Sequence, residues 1–120
     1  MRSASAASLP DSTGLFAAFA DETRLRLLSL LCVRELCVCD LCEVLGEIQP
    51  KVSRHLATLR DAGFVRVRRQ GKWKFYRLTE QPSPLQARLI ACVQSCLREI
   101  DVLAADRARL ASLRGDLRCT

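Results

Sequence analysis

After Gly63 the hydrophobic pattern of the chain changes period, and this change limits the folds that the sequence can adopt. Before Gly63 apolar residues recur at helical spacing, whereas residues 64–68 and 73–78 alternate between apolar and polar side chains. Gln70-Gly71 separates the two alternating runs, a pattern typical of a β-hairpin with a tight turn. The sequence therefore predicts a helical domain that carries one hairpin.

Four helices are predicted before the hairpin. The first lies in residues 14–19, and the second follows Asp21, a favourable N-cap residue. The third spans about residues 39–45 and stops at Gly46, and the fourth spans residues 50–62 and is closed by Gly63. The predicted buried stripes are Leu25, Leu28, Leu31 and Cys32 on the second helix, and Val52, Leu56 and Leu59 on the fourth.

One long helix is predicted after the hairpin, over residues 85–113. Its apolar stripe, from Leu85 to Leu110, is longer than a chain of 120 residues could cover by itself, so we expect pairing with a second copy. Two short helices joined by a tight turn and followed by a hairpin indicate a winged helix-turn-helix. We predict a mainly α single domain at residues 13–113, with a flexible arm at 1–12 and a tail at 114–120.

Basic residues are concentrated in one segment. Residues 49–77 contain nine Lys or Arg and one acid, a net charge of +8, whereas the whole chain carries +6. Such a basic surface is typical of proteins that bind a polyanion such as double-stranded DNA. No apolar run reaches the roughly 20 residues of a membrane span, and the N-terminus does not resemble a signal peptide, so we expect a cytoplasmic protein without a membrane partner.

Two parts of this segment carry the side chains suited to DNA. The start of the fourth helix presents residues whose side chains bind base edges or phosphates, namely Gln49, Lys51, Ser53, Arg54 and His55. The hairpin tip adds Arg68, Arg69, Gln70 and Lys72. His55 is the single histidine, and we expect it to face DNA or to pack rather than to bind metal.

The chain contains seven cysteines, three of them within six residues: Cys37, Cys39 and Cys42. A structural zinc site takes four ligands, whereas trivalent arsenic and antimony take three, and soft thiolates suit such thiophilic ions. On a regular helix Cys37 and Cys39 would point about 200° apart and Cys39 and Cys42 about 60° apart. Binding of As(III) or Sb(III) by all three is therefore expected to distort the start of the third helix. The simpler interpretation treats Cys39 and Cys42 as small buried apolar residues.

These motifs resemble the ArsR/SmtB family, and most closely its arsenite-responsive repressors. The resemblance covers residues 16–78 and rests on three motifs in order: Glu35-Leu36-Cys37-Val38-Cys39-Asp40-Leu41-Cys42, Gln49-Pro50-Lys51-Val52-Ser53-Arg54-His55-Leu56, and Gln70-Gly71-Lys72-Trp73 with Tyr76-Arg77-Leu78. It implies a homodimer joined by the first and last helices. It also implies repression of a resistance operon, with release from DNA when As(III) or Sb(III), as inducer, binds Cys37, Cys39 and Cys42.

The chain departs from the family pattern at two places. Ile48 stands where such repressors often carry Ser before Gln-Pro, so Gln49 is expected to cap the fourth helix. Cys92 and Cys96 lie four residues apart in the predicted last helix, with Cys119 in the tail. Some family members sense through C-terminal cysteines, so this group is a possible second metal site. Packing at the dimer seam is the simpler interpretation of Cys92 and Cys96, and the one that we favour.

A thiol-based redox regulator that uses the Cys39 and Cys42 pair is the main alternative function, because clustered thiolates oxidise readily. An enzyme is not expected, since the sequence shows no base paired with a nucleophile and no phosphate-binding glycine loop. No organic cofactor is expected either.

Overall fold

The structure is a computed structural model that describes residues 8–113, and it confirms the predicted winged helix-turn-helix. In chain order its elements are α1 (Leu9–Phe19), α2 (Glu22–Leu31), β1 (Leu36–Cys37), α3 (Val38–Leu45), α4 (Gln49–Asp61), β2 (Val65–Gln70), β3 (Trp73–Leu78), α5 (Pro84–Gln94) and α6 (Asp101–Ser112). Within the described range, no helix has both the length and the apolar character needed to cross a membrane.

Helix α1 begins five residues earlier than the apolar spacing predicted. The Ser8 side chain caps it by accepting a hydrogen bond of 3.1 Å from the Asp11 amide, and Pro10 lies in the first turn, where a missing N–H costs little. Residues 9–12 of the predicted flexible arm are therefore helical. Residues 1–7 of that arm, like the predicted tail at 114–120, lie outside the described residues.

Helices α3 and α4 form the helix-turn-helix, and each ends near the glycine that was predicted to close it. Gly46 ends α3 with φ +70°, and Gly63 follows α4 with φ +81°, conformations in which a Cβ atom would be strained. The start of α4 differs from the prediction, because Ile48 and not Gln49 occupies the N-cap position, and it offers no side-chain hydrogen bond. The amides of the first turn of α4 are therefore left without a side-chain cap.

Helix α2 is the central helix of the core. Asp21 caps it as predicted, with 3.0 Å from the Arg24 amide to Oδ2. Its buried surface is wider than the predicted stripe, since Leu27 and Leu30 are fully buried beside Leu28, whereas Leu25 is only half-buried. Neighbouring elements therefore cover α2 on more than one side.

The wing sheet has three strands in the order β1-β3-β2, all antiparallel. The hairpin of β2 and β3 agrees with the prediction, and Gly71 turns the chain with φ +63°. The sequence did not predict β1, because a strand of two residues is too short to show alternation. Its register pairs Leu36 with Tyr76 and Cys37 with Phe75, so a cysteine of the candidate site belongs to the wing sheet.

The predicted single long helix after the wing is wrong. The chain leaves helical geometry at Ser95, whose hydroxyl donates to the Ala91 carbonyl at 2.8 Å, and α6 begins only at Asp101. The break allows α6 to fold back on α2, where the buried Asp106 receives two hydrogen bonds from Arg26 at 2.8 and 2.9 Å. Leu103 and Leu110 are thereby buried within the chain itself and do not form an uncovered stripe.

Candidate DNA-binding surface and thiol site

The buried residues of α4 fix which of its side chains reach solvent. Val52, Leu56 and Leu59 are fully buried, and Gln49 and Arg54 are exposed, while Lys51 and Ser53 are half-buried. Lys51 Nζ lies 3.1 Å from Glu47 Oε2 in the preceding turn. The helix therefore presents Gln49 and Arg54 most openly, next to a half-buried cation.

His55 is directed towards the start of α2. Its Nδ1 lies 3.0 Å from Arg24 Nη1 and 3.7 Å from Asp21 Oδ2, and only 13% of its side chain is exposed. Arg24 also donates to the Ala18 carbonyl at 2.6 Å, so the same network reaches α1. Of the two roles predicted for His55, packing is the one that these contacts support.

The environment of His55 lowers its pKa. Burial of the ring is the main cause, the cations of Arg24, Arg54 and Lys51 act in the same direction, and Asp21 opposes them. The unfolded chain therefore binds a proton at His55 at a higher pH than the folded protein does. The neutral form of His55 therefore stabilises the folded state. This stabilisation is complete above the ordinary pKa of 6.5 and is lost as the pH falls through the lowered pKa of the folded state.

We therefore expect the free energy of unfolding to decrease as the pH falls from about 7 to about 5. His55→Gln should flatten this dependence, because the chain has no other histidine. Urea denaturation of both proteins across this range measures the effect. An equally steep dependence in the variant would show that other groups cause it.

The wing carries several exposed cations, and only some of them are paired with an acid. Arg69 and Lys74 are directly opposite each other across β2 and β3, and both are exposed, as is Lys72 in the turn. Like charges in this arrangement destabilise a sheet unless an anion lies against them. Within residues 8–113 no salt bridge joins these three cations to an acid. Lys74 was absent from the predicted DNA-binding residues, although the alternation of the strand placed it on this face.

Arg68 differs from its neighbours because it is already paired. Its Nε and Nη2 donate to the Glu35 carboxylate at 2.7 to 3.0 Å, and its Nη1 donates to Gln70 Oε1 at 2.8 Å. These hydrogen bonds lower the pKa of Glu35. Two residues predicted to contact DNA, Arg68 and Gln70, thus contact each other, and Glu35 is a partner that sequence reasoning missed.

The thiol site lies where β1 passes into α3. Cys37, in extended conformation, occupies the N-cap position of α3, and its Sγ lies 2.9 Å from Cys39 Sγ. The ligand atoms of Cys37, Cys39 and the buried Asp40 all lie within 4.8 Å of one another. Sequence reasoning noted Asp40 in the cysteine motif but did not consider it as a ligand, although an acid between two cysteines was a visible signal.

Cys42 lies one helical turn beyond Cys39 and is half-buried. Burial, and secondarily the neighbouring Cys39, raise the pKa of the Cys42 thiol. Cys39 and Cys42 line one open cavity of about 440 Å³ with Glu43, Glu47, Gln49 and Arg109. This cavity therefore extends from the thiols to the first residue of α4.

The possible second thiol site is more exposed. Cys96 is exposed in the break between α5 and α6, and Cys92 is half-buried at the end of α5. Burial raises the pKa of Cys92, and the adjacent Cys96 thiol adds to the effect. Cys119 lies outside the described residues. Within the described part of the chain, the structure thus brings Cys92 and Cys96 together.

Comparisons with known proteins agree with this architecture. Residues 21–67 match the family described as "Bacterial regulatory protein, arsR family". Over 86 residues the chain is 49% identical to the arsenical resistance operon repressor of Escherichia coli K12, covering 71% of this chain and 74% of the relative. It is 44% identical over 102 residues to an arsenic resistance transcriptional regulator of Pseudomonas putida, covering 82% and 77%.

Solved structures of similar shape include two regulators. One is the homodimeric winged helix-turn-helix domain Mb0332 of Mycobacterium bovis, with TM-score 0.65 and 30% identity over 82% of this chain and 89% of the other. The second is the antimony-specific transcriptional repressor AntR, with TM-score 0.64 and 29% identity over 84% and 89%.

Proposed function

This chain belongs to the ArsR family of bacterial transcriptional regulators, which are not enzymes, and we propose that it represses an arsenical resistance operon. In this proposal a homodimer binds operator DNA through α4 and the wing. It leaves the DNA when As(III) or Sb(III) is bound by Cys37, Cys39 and Cys42. The names of its relatives support arsenic or antimony as the inducer.

One observation supports the proposal most strongly, the 2.9 Å between the sulfur atoms of Cys37 and Cys39 at the start of α3. Two sulfur atoms at this separation are close enough for one thiophilic ion to bind both once the two cysteines are reduced. Because α3 is the first helix of the helix-turn-helix, a ligand held there acts on the element that supports α4. The chemistry of the thiols and the DNA-binding geometry are thus joined within one helix pair.

In the proposed mechanism, the distortion that helical geometry predicted falls on Cys42 and not on Cys37. Cys37 is not helical, so its extended backbone already brings it to Cys39 without distortion of α3. Cys42 is the remaining ligand, and it is not part of the cluster whose ligand atoms lie within 4.8 Å among the described residues. In this proposal, Cys42 is drawn into a three-thiol site and its turn of α3 moves with it. That turn borders the cavity that ends at Gln49, so the movement would disturb the start of α4.

Pairing of two copies is supported by exposed apolar side chains on α1. Leu9 is 78% exposed and Phe16 is 51% exposed. They lie seven residues apart in α1 and so on the same side of the helix, where two large apolar side chains offer a surface for a second copy. A dimer would place two α4 helices on successive major grooves. The like-charged Arg69 and Lys74 of each wing would then face phosphates.

The test is a titration of the reduced protein on DNA. Binding sites are first selected by the protein from random-sequence DNA, and the complex is then followed by fluorescence anisotropy. With excess reductant, As(III) and Sb(III) should release the DNA, whereas Zn(II) should not. Moving the complex from almost fully bound to almost fully free needs about 10⁴-fold tighter binding of the ion to the released state.

Two results would contradict the proposal. Release only by a hydroperoxide in the absence of reductant would identify a thiol redox regulator. If neither As(III) nor Sb(III) releases the DNA, the two metalloids are not the inducers, and only the DNA-binding part of the proposal remains.

A further inference from the structure

Glu35 holds an unusual position between the thiol site and the wing. It lies in the irregular segment between α2 and β1, two residues before Cys37. Its carboxylate accepts hydrogen bonds from Arg68 on β2, from Nε at 3.0 Å to each oxygen and from Nη2 at 2.7 Å to Oε1. Arg77 Nη1 on β3 lies 3.9 Å from Glu35 Oε2. One carboxylate therefore contacts both strands of the hairpin.

The Glu35–Arg68 pair crosses the whole wing sheet. The strand order is β1-β3-β2, so Arg68 must span β3 to reach Glu35, and its guanidinium lies 4.6 Å from the centroid of the Phe75 ring on the way. Phe75 is the residue that registers with Cys37 on one side and with Arg68 on the other. The pair therefore joins the strands at the row that contains Cys37.

We propose that Glu35 is a positioning residue that makes the placement of the wing depend on the strand carrying Cys37. Metalloid binding would then act on DNA affinity through the wing as well as through α4. This inference rests on the proposed function, because it concerns how the same thiol site is coupled to DNA.

The size of β1 explains why this contact matters. The strand has two residues, so few backbone hydrogen bonds connect it to β3. The multiple charge-assisted hydrogen bonds between Glu35 and Arg68 are stronger than neutral ones and have a fixed geometry. When Cys37 changes position with its ligand, Glu35 moves with it, and Arg68 transmits that movement to β2. Arg69, the next residue of β2, is one of the exposed cations that face DNA in the proposed function.

The matched pair of variants is Glu35→Gln and Glu80→Gln. Both remove one negative charge beside a wing arginine, since Glu80 Oε2 accepts from Arg77 Nε at 2.8 Å. Glu80 follows β3, and among residues 8–113 its carboxylate pairs with Arg77 but forms no hydrogen bond with Arg68 or β1. Each variant is measured for its DNA dissociation constant with and without As(III). Glu35→Gln should lower the ratio of the two constants about fivefold, the low end of typical allosteric couplings, and Glu80→Gln should leave the ratio unchanged.

A second readout separates coupling from ligand binding. As(III) binding to the DNA-free protein, followed by thiolate-to-arsenic absorption, should be equal in the wild type and in Glu35→Gln. Arg68→Gln removes the same pair from its other side, and its effect on the ratio should not add to that of Glu35→Gln in the double variant. This second variant also keeps the test valid if Glu35→Gln fails to fold.

The possible failures are distinguishable. If the wild type does not respond to As(III), the proposed function fails, and this inference fails with it. If the wild type responds but the two glutamate variants change the ratio equally, the effect is one of charge alone and the inference is wrong. An unchanged ratio in both Glu35→Gln and Arg68→Gln would overturn it as well.

Discussion

Cys39→Ser is expected to leave operator binding intact and to abolish release by As(III). Serine has nearly the same size and preserves the helix, but its hydroxyl is a poor ligand for a thiophilic ion. Cys39 is the sulfur 2.9 Å from Cys37 and also lines the cavity with Cys42, so its loss breaks both halves of the proposed site. The roughly 10⁴-fold differential affinity needed for complete release should fall close to 1. Anisotropy of labelled operator during an As(III) titration measures this.

The matched control is the double variant Cys92→Ser with Cys96→Ser. It also removes thiols, but from the end of α5 and the break before α6, which are not part of the helix-turn-helix. It should bind DNA and release it at the same As(III) concentrations as the wild type. If Cys39→Ser still releases DNA normally while the double variant does not, the sensing site lies at the C-terminal cysteines.

Arg54→Ala is expected to lower specific operator affinity about 5- to 150-fold per half-site, since one bidentate base contact contributes about 1–3 kcal/mol. Arg54 is exposed on the outer side of α4, because the buried Val52 and Leu56 hold the opposite side of the helix against the core. Affinity for random DNA should change much less, because phosphate contacts dominate there. Competition binding with selected and scrambled DNA gives both constants.

Arg60→Ala is the control for Arg54. It removes the same charge from the same helix, but Arg60 lies in the last turn, where it contacts Asp61 at 3.5 Å. It should weaken specific and random DNA binding by similar, small factors. Equal losses in both variants would show that α4 contributes charge but does not read the sequence.

The elements that sequence reasoning predicted well are those defined by local chemistry. Asp21 and the three glycines at 46, 63 and 71 mark the ends of helices and the hairpin turn, and each adopts the conformation that its residue type favours. The period change at Gly63 located the wing for the same reason. Helix phase accounts for the exposure of Arg54, whereas the consecutive residues Arg68 and Arg69 are both exposed near the hairpin tip, which strand alternation alone does not predict.

The features that were missed depend on distant contacts. The break at residues 95–100 is stabilised by the return of α6 onto α2 through Arg26 and Asp106, residues 80 positions apart. β1 exists because β3 pairs with it. Glu35 meets Arg68 across 33 positions, and His55 meets Arg24 across 31. Periodicity within one element carries no information about such pairs.

The proximity of Asp40 to the two sulfur atoms was also missed because it depends on the folded backbone and not on periodicity within one element. Asp40 lies between Cys39 and Cys42 in the sequence. Its carboxylate comes within 4.8 Å of the sulfur atoms of Cys37 and Cys39 because the chain passes from β1 into α3 at this point. The structure thus contains a compact two-sulfur, one-oxygen cluster beside the three-sulfur site that we propose. The two sites differ in the atoms that would bind the ion: three sulfur atoms in the proposed site, and two sulfur atoms with one oxygen in the cluster.

Arsenic K-edge X-ray absorption tests the three-thiol site most directly. The sample is the reduced protein with Cys92, Cys96 and Cys119 all replaced by Ser, loaded with one equivalent of As(III), so that the C-terminal thiols cannot contribute. The proposed site predicts three sulfur neighbours and no oxygen neighbour at arsenic. Two sulfur atoms and one oxygen, as the Cys37, Cys39 and Asp40 cluster would provide, would contradict it.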